Sequence, residues 1–284
     1  MTCLLWLQNI REALGPGVEA FFVALTNFAG SSSSAILLFI IYWCVDRETG
    51  CQLGGTYALS LFVNQLIKNT ACIYRPWIRD PRIEPSAGAK PGATGYSFPS
   101  GHTVVAVSLY GQFGWKYRAK KWLMWLCFIF VLLVAFSRVY LGYHTLQDVL
   151  TAFIETILVI IAWQKFLPWL KKHPEADGKL LVSALLLCVL GLIYWVLKPY
   201  PMDYVNGVLL VDPEEMQVDC FQSAGLLSGF AAGCFVERRY IRFSTDNIPI
   251  RTRILRGVIG AVCVSVIDRL TKLVSGGVDP RVLM

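Results

Sequence analysis

Eight residues, spread over three short stretches of a largely apolar chain, carry groups that could bind and transfer a phosphoryl group. They are Lys68 and Arg75, then Ser100, Gly101 and His102, and finally Arg138, His144 and Asp148, here called the eight motif residues. The basic side chains could neutralise phosphate oxygens, and an imidazole could act as a nucleophile. These residue types indicate phosphoryl-transfer chemistry.

His144 and Asp148 are four residues apart at the predicted start of a helix, so their side chains share one face within hydrogen-bonding reach. A carboxylate in that place fixes the tautomer of the imidazole and makes it more nucleophilic. A nucleophilic imidazole in line with a second imidazole, that of His102, suits a two-step transfer through a phosphohistidine.

Positive charge and free backbone N–H groups make up the rest of the predicted site. Ser100 lies near the N-cap of an apolar helix, whose first N–H groups attract anions. Together with Lys68, Arg75 and Arg138, such a helix start suits the equatorial oxygens of a phosphoryl group in transfer. Taken singly, each residue also has a structural interpretation, since basic residues near span ends often reach toward the membrane interface. Their joint occurrence favours a site.

The composition predicts the elements that must position these residues. Hydrophobic residues make up 55% of the chain, charged residues only 16%, and the mean hydropathy is +0.53. Soluble domains carry about 25% charged residues. We therefore predict an all-α polytopic membrane protein. The predicted spans are at about 30–45, 51–68, 102–116, 122–139, 145–165, 179–197, 220–236 and 254–274.

Residues 1–28 are expected to form amphipathic helices that lie at the membrane interface, because Gly15, Pro16 and Gly17 interrupt them. The nine cysteines include no CxxC pair and no cluster with histidine at metal-binding spacing, and most are interpreted as small hydrophobic residues. No cofactor is expected.

Basic residues in alternate loops predict the orientation. They are concentrated at 116–121, 165–179 and 238–253, and the positive-inside rule places these loops in the cytoplasm. The net charge of +7 is thus attributed to topology and not to nucleic-acid binding. The motif residues fall on the opposite side. We predict a multi-pass protein of the cytoplasmic membrane whose site faces the extracytoplasmic side.

Three ordered patterns carry a resemblance to a known family. They are Lys68-x6-Arg75-Pro76, Pro99-Ser100-Gly101-His102 and Ser137-Arg138-x5-His144-x3-Asp148. They match the signature motifs of the type 2 phosphatidic acid phosphatase (PAP2) superfamily without a departure, over roughly residues 30–165. The resemblance implies that His144 is the nucleophile, Asp148 its partner and His102 the general acid. It also implies metal-free catalysis and a phosphate held by Lys68, Arg75, Ser100, Gly101 and Arg138.

The resemblance implies a division of the chain. Residues 29–167 would form a catalytic core, a PAP2-type six-helix bundle, and residues 168–284 would add about three C-terminal transmembrane helices. The extended form is similar to sphingosine-1-phosphate phosphatases and to a group of bacterial PAP2 proteins. Residues 168–284 are called the extension below.

The expected function is hydrolysis of a lipid phosphomonoester or pyrophosphate, with phosphatidate, a sphingoid-base phosphate and a polyprenyl pyrophosphate all left open. The expected partners are this lipid and the bilayer, with no nucleic acid. A phosphotransferase that uses an acceptor alcohol is the alternative, and a non-catalytic transporter or scaffold is the second. In addition, Glu155 is expected to form a buried hydrogen bond with Asn64 or Gln65.

Overall fold

The apolar runs fold into helices, which satisfy their backbone hydrogen bonds internally as a bilayer requires. A computed structural model describes residues 1–30, 32–88 and 95–277. The helices of the N-terminal half are α1 (Thr2–Leu14), α2 (Pro16–Gly30), α3 (Ser32–Ile40), α4 (Arg47–Ala71), α5 (Pro76–Arg79), α6 (Gly101–Val105), α7 (Gln112–Lys116) and α8 (Lys121–Tyr140). The remaining helices are α9 (Leu146–Lys172), α10 (Asp177–Leu197), α11 (Pro213–Val236) and α12 (Ile250–Gly277).

Short π-helical and 3₁₀ turns continue or connect several of these helices. A π-helical turn at Ile41–Val45 continues α3, another at Ala106–Gly111 links α6 to α7, and a third at Glu237–Ile241 continues α11. A 3₁₀ turn at Pro174–Ala176 precedes α10. Two short antiparallel strands, β1 (Tyr204–Val205) and β2 (Val208–Leu209), form a hairpin between α10 and α11.

The all-α polytopic prediction is confirmed, and each predicted span corresponds to a helix or a helix pair. By length and composition, α8, α9 and Pro174–Leu197 are each able to cross a membrane. The segments Pro16–Gly30 and Ser34–Val45 meet the same criterion as a pair that is bent by 49°.

The N-terminal helices pack beside α8. Leu4 and Leu7 of α1 join a buried cluster with Tyr140 at the end of α8. On α2, Phe22 contacts Tyr140 and Phe28 contacts Phe130, so α2 runs antiparallel to α8 from its last residues toward its middle. The interfacial position of residues 1–28 stays a prediction.

Helix α4 lies between α9 on one side and the helices α10 and α11 of the extension on the other. One of its faces packs on α9, where Gly55 lies against Trp163 and a Cβ atom would overlap the indole ring. Another face packs on α10 and α11, where the buried Phe62 contacts Trp195. Because α4 also carries Lys68, its packing connects the extension directly to the motif residues.

Candidate active site

His144 lies in the turn that joins α8 to α9. The backbone N–H groups of Tyr143 and His144 donate to the Arg138 carbonyl at 3.0 and 3.1 Å and close the turn. Gly142 in this turn has a φ of +80°, in the left-handed region that favours glycine. The turn holds His144 against the last residues of α8 with only 2% of its surface exposed.

The Asp148 carboxylate is oriented by three groups. Its Oδ2 lies 3.5 Å from His144 Nδ1 and accepts hydrogen bonds from the Ser97 hydroxyl at 2.5 Å and the Thr145 N–H at 2.8 Å. Thr145 is the N-cap of α9, and its hydroxyl accepts from the Asp148 N–H, which completes a capping box. The same helix start thus fixes both the backbone and the side chain of Asp148.

The other ring nitrogen of His144 faces Arg75. Arg75 Nη1 lies 3.1 Å from His144 Nε2. Since a guanidinium can only donate, Nε2 carries the lone pair and the ring proton is on Nδ1, toward Asp148. Burial and then the charge of Arg75 hold the pKa of His144 well below its usual value, although Asp148 opposes them. His144 is therefore a neutral imidazole whose unprotonated Nε2 lies beside a cation.

The three cations predicted to bind phosphate are all buried. Arg75 also donates to the carbonyls of Gly95 and Tyr143, and burial lowers the pKa of Arg75 to about 10. Lys68 Nζ donates to the Tyr96 carbonyl at 3.4 Å. Arg138 donates to the Thr26 hydroxyl at 3.0 Å and lies over the Tyr143 ring.

Ser100 is the N-cap of α6, as predicted, and its own N–H donates to the Asp148 carbonyl at 3.2 Å. This bond joins the second motif to the third. Gly101 follows at the first helical position, and a Cβ atom there would meet only Asn64 Oδ1, at 3.8 Å. The backbone at Gly101 is thus open to close approach by a ligand.

His102 is the second residue of α6, lies beside the other motif residues and borders a cavity. Its ring interacts electrostatically with Arg138, His144 and Arg75. The ring also packs so closely on Gly30 that any side chain at that position would overlap it. The structure therefore brings together all eight motif residues, which span 81 positions of the chain from Lys68 to Asp148.

Glu155 lies deeper on α9 and accepts a hydrogen bond from Asn64 Nδ2 at 2.7 Å, so the predicted bond to Asn64 is confirmed. Within the described residues, the second carboxylate oxygen of Glu155 has no hydrogen-bond partner.

The sequence did not predict three residues that contact or interact with the motif residues. Ser97 donates to Asp148, Thr26 accepts from Arg138, and the Asp219 carboxylate interacts electrostatically with Lys68 and Arg75. Ser97 lies just before the second motif in the sequence, and this closeness is the one feature from which its place in the site could have been predicted. Thr26 and Asp219 come from helices outside the motifs, and no spacing rule connects them to the site.

Comparisons with known proteins agree with this geometry. Residues 49–172 match the PAP2 superfamily, and residues 221–282 match a family described as "PAP2 superfamily phosphatase, transmembrane extension". An undecaprenyl-diphosphatase of Sulfolobus acidocaldarius is 28% identical over 108 residues, which are 38% of this chain and 50% of that protein. Lipid phosphate phosphatase delta of Arabidopsis thaliana is 24% identical over 167 residues, 55% of this chain and 40% of that protein.

The chain thus spans half or less of the length of the curated relatives that it matches. No solved structure matches it at the threshold that these two relatives pass. The two family matches cover about two thirds of the chain, and the first contains all eight motif residues. Residues 49–172 thus carry a PAP2 superfamily domain, and residues 221–282 match the transmembrane extension that accompanies such phosphatases.

Proposed function

We propose that this protein is a membrane phosphatase that hydrolyses a phosphomonoester or diphosphate of a lipid through a phosphohistidine, without a metal. The observation that carries the proposal is the pair of contacts at His144: Arg75 at Nε2 and Asp148 at Nδ1. They give a buried, neutral imidazole with an unprotonated Nε2, as a nucleophile requires, next to a cation that would hold the phosphate beside this nitrogen.

In the first step, His144 Nε2 attacks the phosphorus and forms an N–P bond, while the bond from phosphorus to the leaving oxygen breaks. Arg75, Lys68 and Arg138 neutralise the oxygens of the phosphoryl group, and burial strengthens these interactions. His102 donates a proton to the leaving oxygen. The Asp148 carboxylate stabilises the positive charge that develops on the His144 ring.

In the second step, water attacks the phosphorus of the phosphohistidine. His102, now deprotonated, accepts a proton from this water, the N–P bond breaks, and inorganic phosphate leaves. Both imidazoles return to their starting states, and water is the single co-reactant.

The surroundings support a lipid as substrate. Large apolar side chains are exposed along α8, α9 and α10, as expected for helices in a bilayer. The cavity beside His102 is lined partly by Tyr57, Leu61 and Val105, so an apolar chain fits next to the proposed acid. The names of the two relatives, an undecaprenyl-diphosphatase and a lipid phosphate phosphatase, are consistent with such a substrate.

The site is proposed to face the extracytoplasmic side of the cytoplasmic membrane. The supporting feature is the distribution of charge along single helices. His144 lies just beyond the C-terminal end of α8, which is Tyr140, whereas Lys120 and Lys121 lie at its N-terminal end. The positive-inside rule favours the cytoplasm for that basic end.

The test is phosphate release by the purified full-length chain in lipid–detergent micelles with EDTA. The substrates are phosphatidate, a sphingoid-base phosphate, farnesyl phosphate and farnesyl diphosphate, and the variants are His144→Ala and His173→Ala. We expect release in EDTA from the wild type and from His173→Ala, whose altered histidine is outside the site. We expect a loss of about 1,000-fold or more in His144→Ala.

Loss of release in EDTA, or near-normal release by His144→Ala, would contradict the proposed mechanism. A second readout is acid-labile and base-stable ³²P on the protein after a brief pulse of labelled substrate. If added alcohols intercept this label as new phosphate esters faster than water does, the protein is a phosphotransferase and hydrolysis is not its main reaction.

A further inference from the structure

A cavity of about 350 Å³ lies directly beside His102. Its walls are α4, α6 and α11, so the extension completes a space that borders the motif residues. The polar residues in the lining are Gln65, His102, Asp219, Gln222 and Ser223. Its size is in the range of small-molecule sites.

The lining changes from polar to apolar along each wall. On α11, Asp219 and Gln222 precede Leu226, and on α4 Gln65 lies two turns from Tyr57. In each case the polar residue is on the part of the helix nearer the motif residues. A lipid whose phosphate lies at His144 would thus place its first polar atoms beside Asp219 and its chain deeper.

The residues before and after Asp219 in the sequence make contacts that hold Asp219 in the wall of the cavity. Three residues earlier, Met216 packs in a buried cluster with Tyr96, the residue whose carbonyl accepts from Lys68. One residue later, the Cys220 sulfur accepts a hydrogen bond from Asn69 Nδ2 at 3.0 Å. The position of α11 on α4 is therefore fixed, and the carboxylate interacts electrostatically with Lys68 and Arg75.

We propose that Asp219 is a specificity-determining residue that makes the leaving-group cavity favour lipid phosphomonoesters over lipid diphosphates. The inference rests on the proposed function, in which His102 protonates the leaving oxygen. With a phosphomonoester, cleavage of the P–O bond and transfer of the His102 proton release a neutral alcohol into the cavity. With a diphosphate, the same step releases a lipid monophosphate, which is an anion.

The cost of that anion follows from the charged groups around the cavity. Lys68, Arg75 and Arg138 already face the phosphoryl group in transfer, and Asp219 offsets part of the positive charge that remains. A second phosphate beside the Asp219 carboxylate would meet like-charge repulsion.

The test compares farnesyl phosphate with farnesyl diphosphate, which share one chain and differ in the charge of the leaving group. We expect the wild type to have a kcat/KM about tenfold higher for the monophosphate. In Asp219→Asn this ratio should fall about tenfold, because the repelling charge is gone. Glu215→Gln makes the same charge change at an exposed position of α11 and should leave the ratio unchanged.

Two further variants keep the test decisive if Asp219→Asn does not fold. Asp219→Glu keeps the charge and should keep the preference for the monophosphate. Gln222→Glu adds a carboxylate to the same cavity and should raise the preference further.

A wild type that prefers the diphosphate, or a ratio that does not change in Asp219→Asn and Gln222→Glu, would overturn the role of Asp219. In either case the protein would still hydrolyse lipid phosphates, so the proposed function would stand. Hydrolysis of no lipid phosphate at all would instead overturn the proposed function.

Discussion

At the scale of single residues, the two nitrogens of His144 have opposite environments. Nε2 faces a donor that cannot accept, Arg75, and Nδ1 faces a carboxylate that Ser97 and Thr145 hold in place. A protonated ring would bring a second positive charge next to Arg75 in a buried site. The arrangement therefore stabilises the neutral ring in one tautomer, and it makes the stability of the fold depend on pH.

The sign of this dependence follows from the lowered pKa of His144. In the unfolded chain its pKa is about 6.5, and in the folded protein burial and Arg75 hold the pKa well below that value. Below about pH 6.5 the unfolded state binds a proton that the folded state does not, so the contribution of His144 to stability is complete above this pH and is lost as the pH falls. The loss is at most about 1.4 kcal/mol per pH unit.

The measurement is thermal and denaturant unfolding of wild type and His144→Gln in detergent at pH 7.5, 6.5 and 5.5. We expect the free energy of unfolding of the wild type to fall by about 1 kcal/mol more than that of the variant between pH 7.5 and 5.5. Parallel curves would mean that His144 accepts a proton in the folded site, and the neutral-imidazole assignment would then be wrong.

At the scale of elements, the first turn of α9 has two functions. The Thr145 hydroxyl caps the helix, and the Thr145 N–H orients the Asp148 carboxylate that faces His144. We expect Thr145→Ala to cost about 1 kcal/mol of stability, as loss of an N-cap does. We also expect kcat to fall severalfold with little change in KM, because the frayed turn no longer holds Asp148 in place.

Thr145→Ser is the matched control, since it keeps the capping hydroxyl and should keep both stability and kcat within about twofold of wild type. Steady-state kinetics on farnesyl phosphate and thermal unfolding measure the two quantities. If Thr145→Ala lowered stability but left kcat unchanged, the cap and the orientation of Asp148 would be independent of each other.

Local pattern explains what the sequence could predict at this scale. The spacing of His144 and Asp148 and the start of a helix at Gly101 are set by helical periodicity and by capping, which act over a few residues. Ser97 and Asp219 reach the site through the packing of segments that are distant in the chain, and no short pattern encodes that packing. The bend between α2 and α3 also depends on packing between distant segments, because α2 lies along α8.

At the scale of the whole molecule, the extension packs against the region of the motif residues, and its helix α11 lines the cavity beside His102. Helix α11 packs along α4 over most of its length, from Met216 near the motif residues to Cys234 at the opposite end. Between these ends, Phe230 fills the space beside Gly54, where a Cβ atom would overlap its ring. Because α4 carries Lys68, a shift of α11 would move a wall of the cavity together with a residue that we propose binds phosphate.

A cross-link between the distal ends of α4 and α11 tests this arrangement. The sulfur atoms of Cys51 and Cys234 are 3.8 Å apart, and a disulfide needs about 2 Å between them, so a small rotation of the side chains suffices. We expect a membrane-permeant oxidant to join this pair, seen as a linked peptide by mass spectrometry that is absent in Cys51→Ser. Since the bond would hold α4 and α11 as they already pack, phosphate release should continue at close to the wild-type rate.

Failure to cross-link in folded protein would contradict the packing of α11 on α4. A cross-linked but inactive protein would mean that the two helices must separate during turnover, and Asp219 would then not line the cavity throughout the reaction.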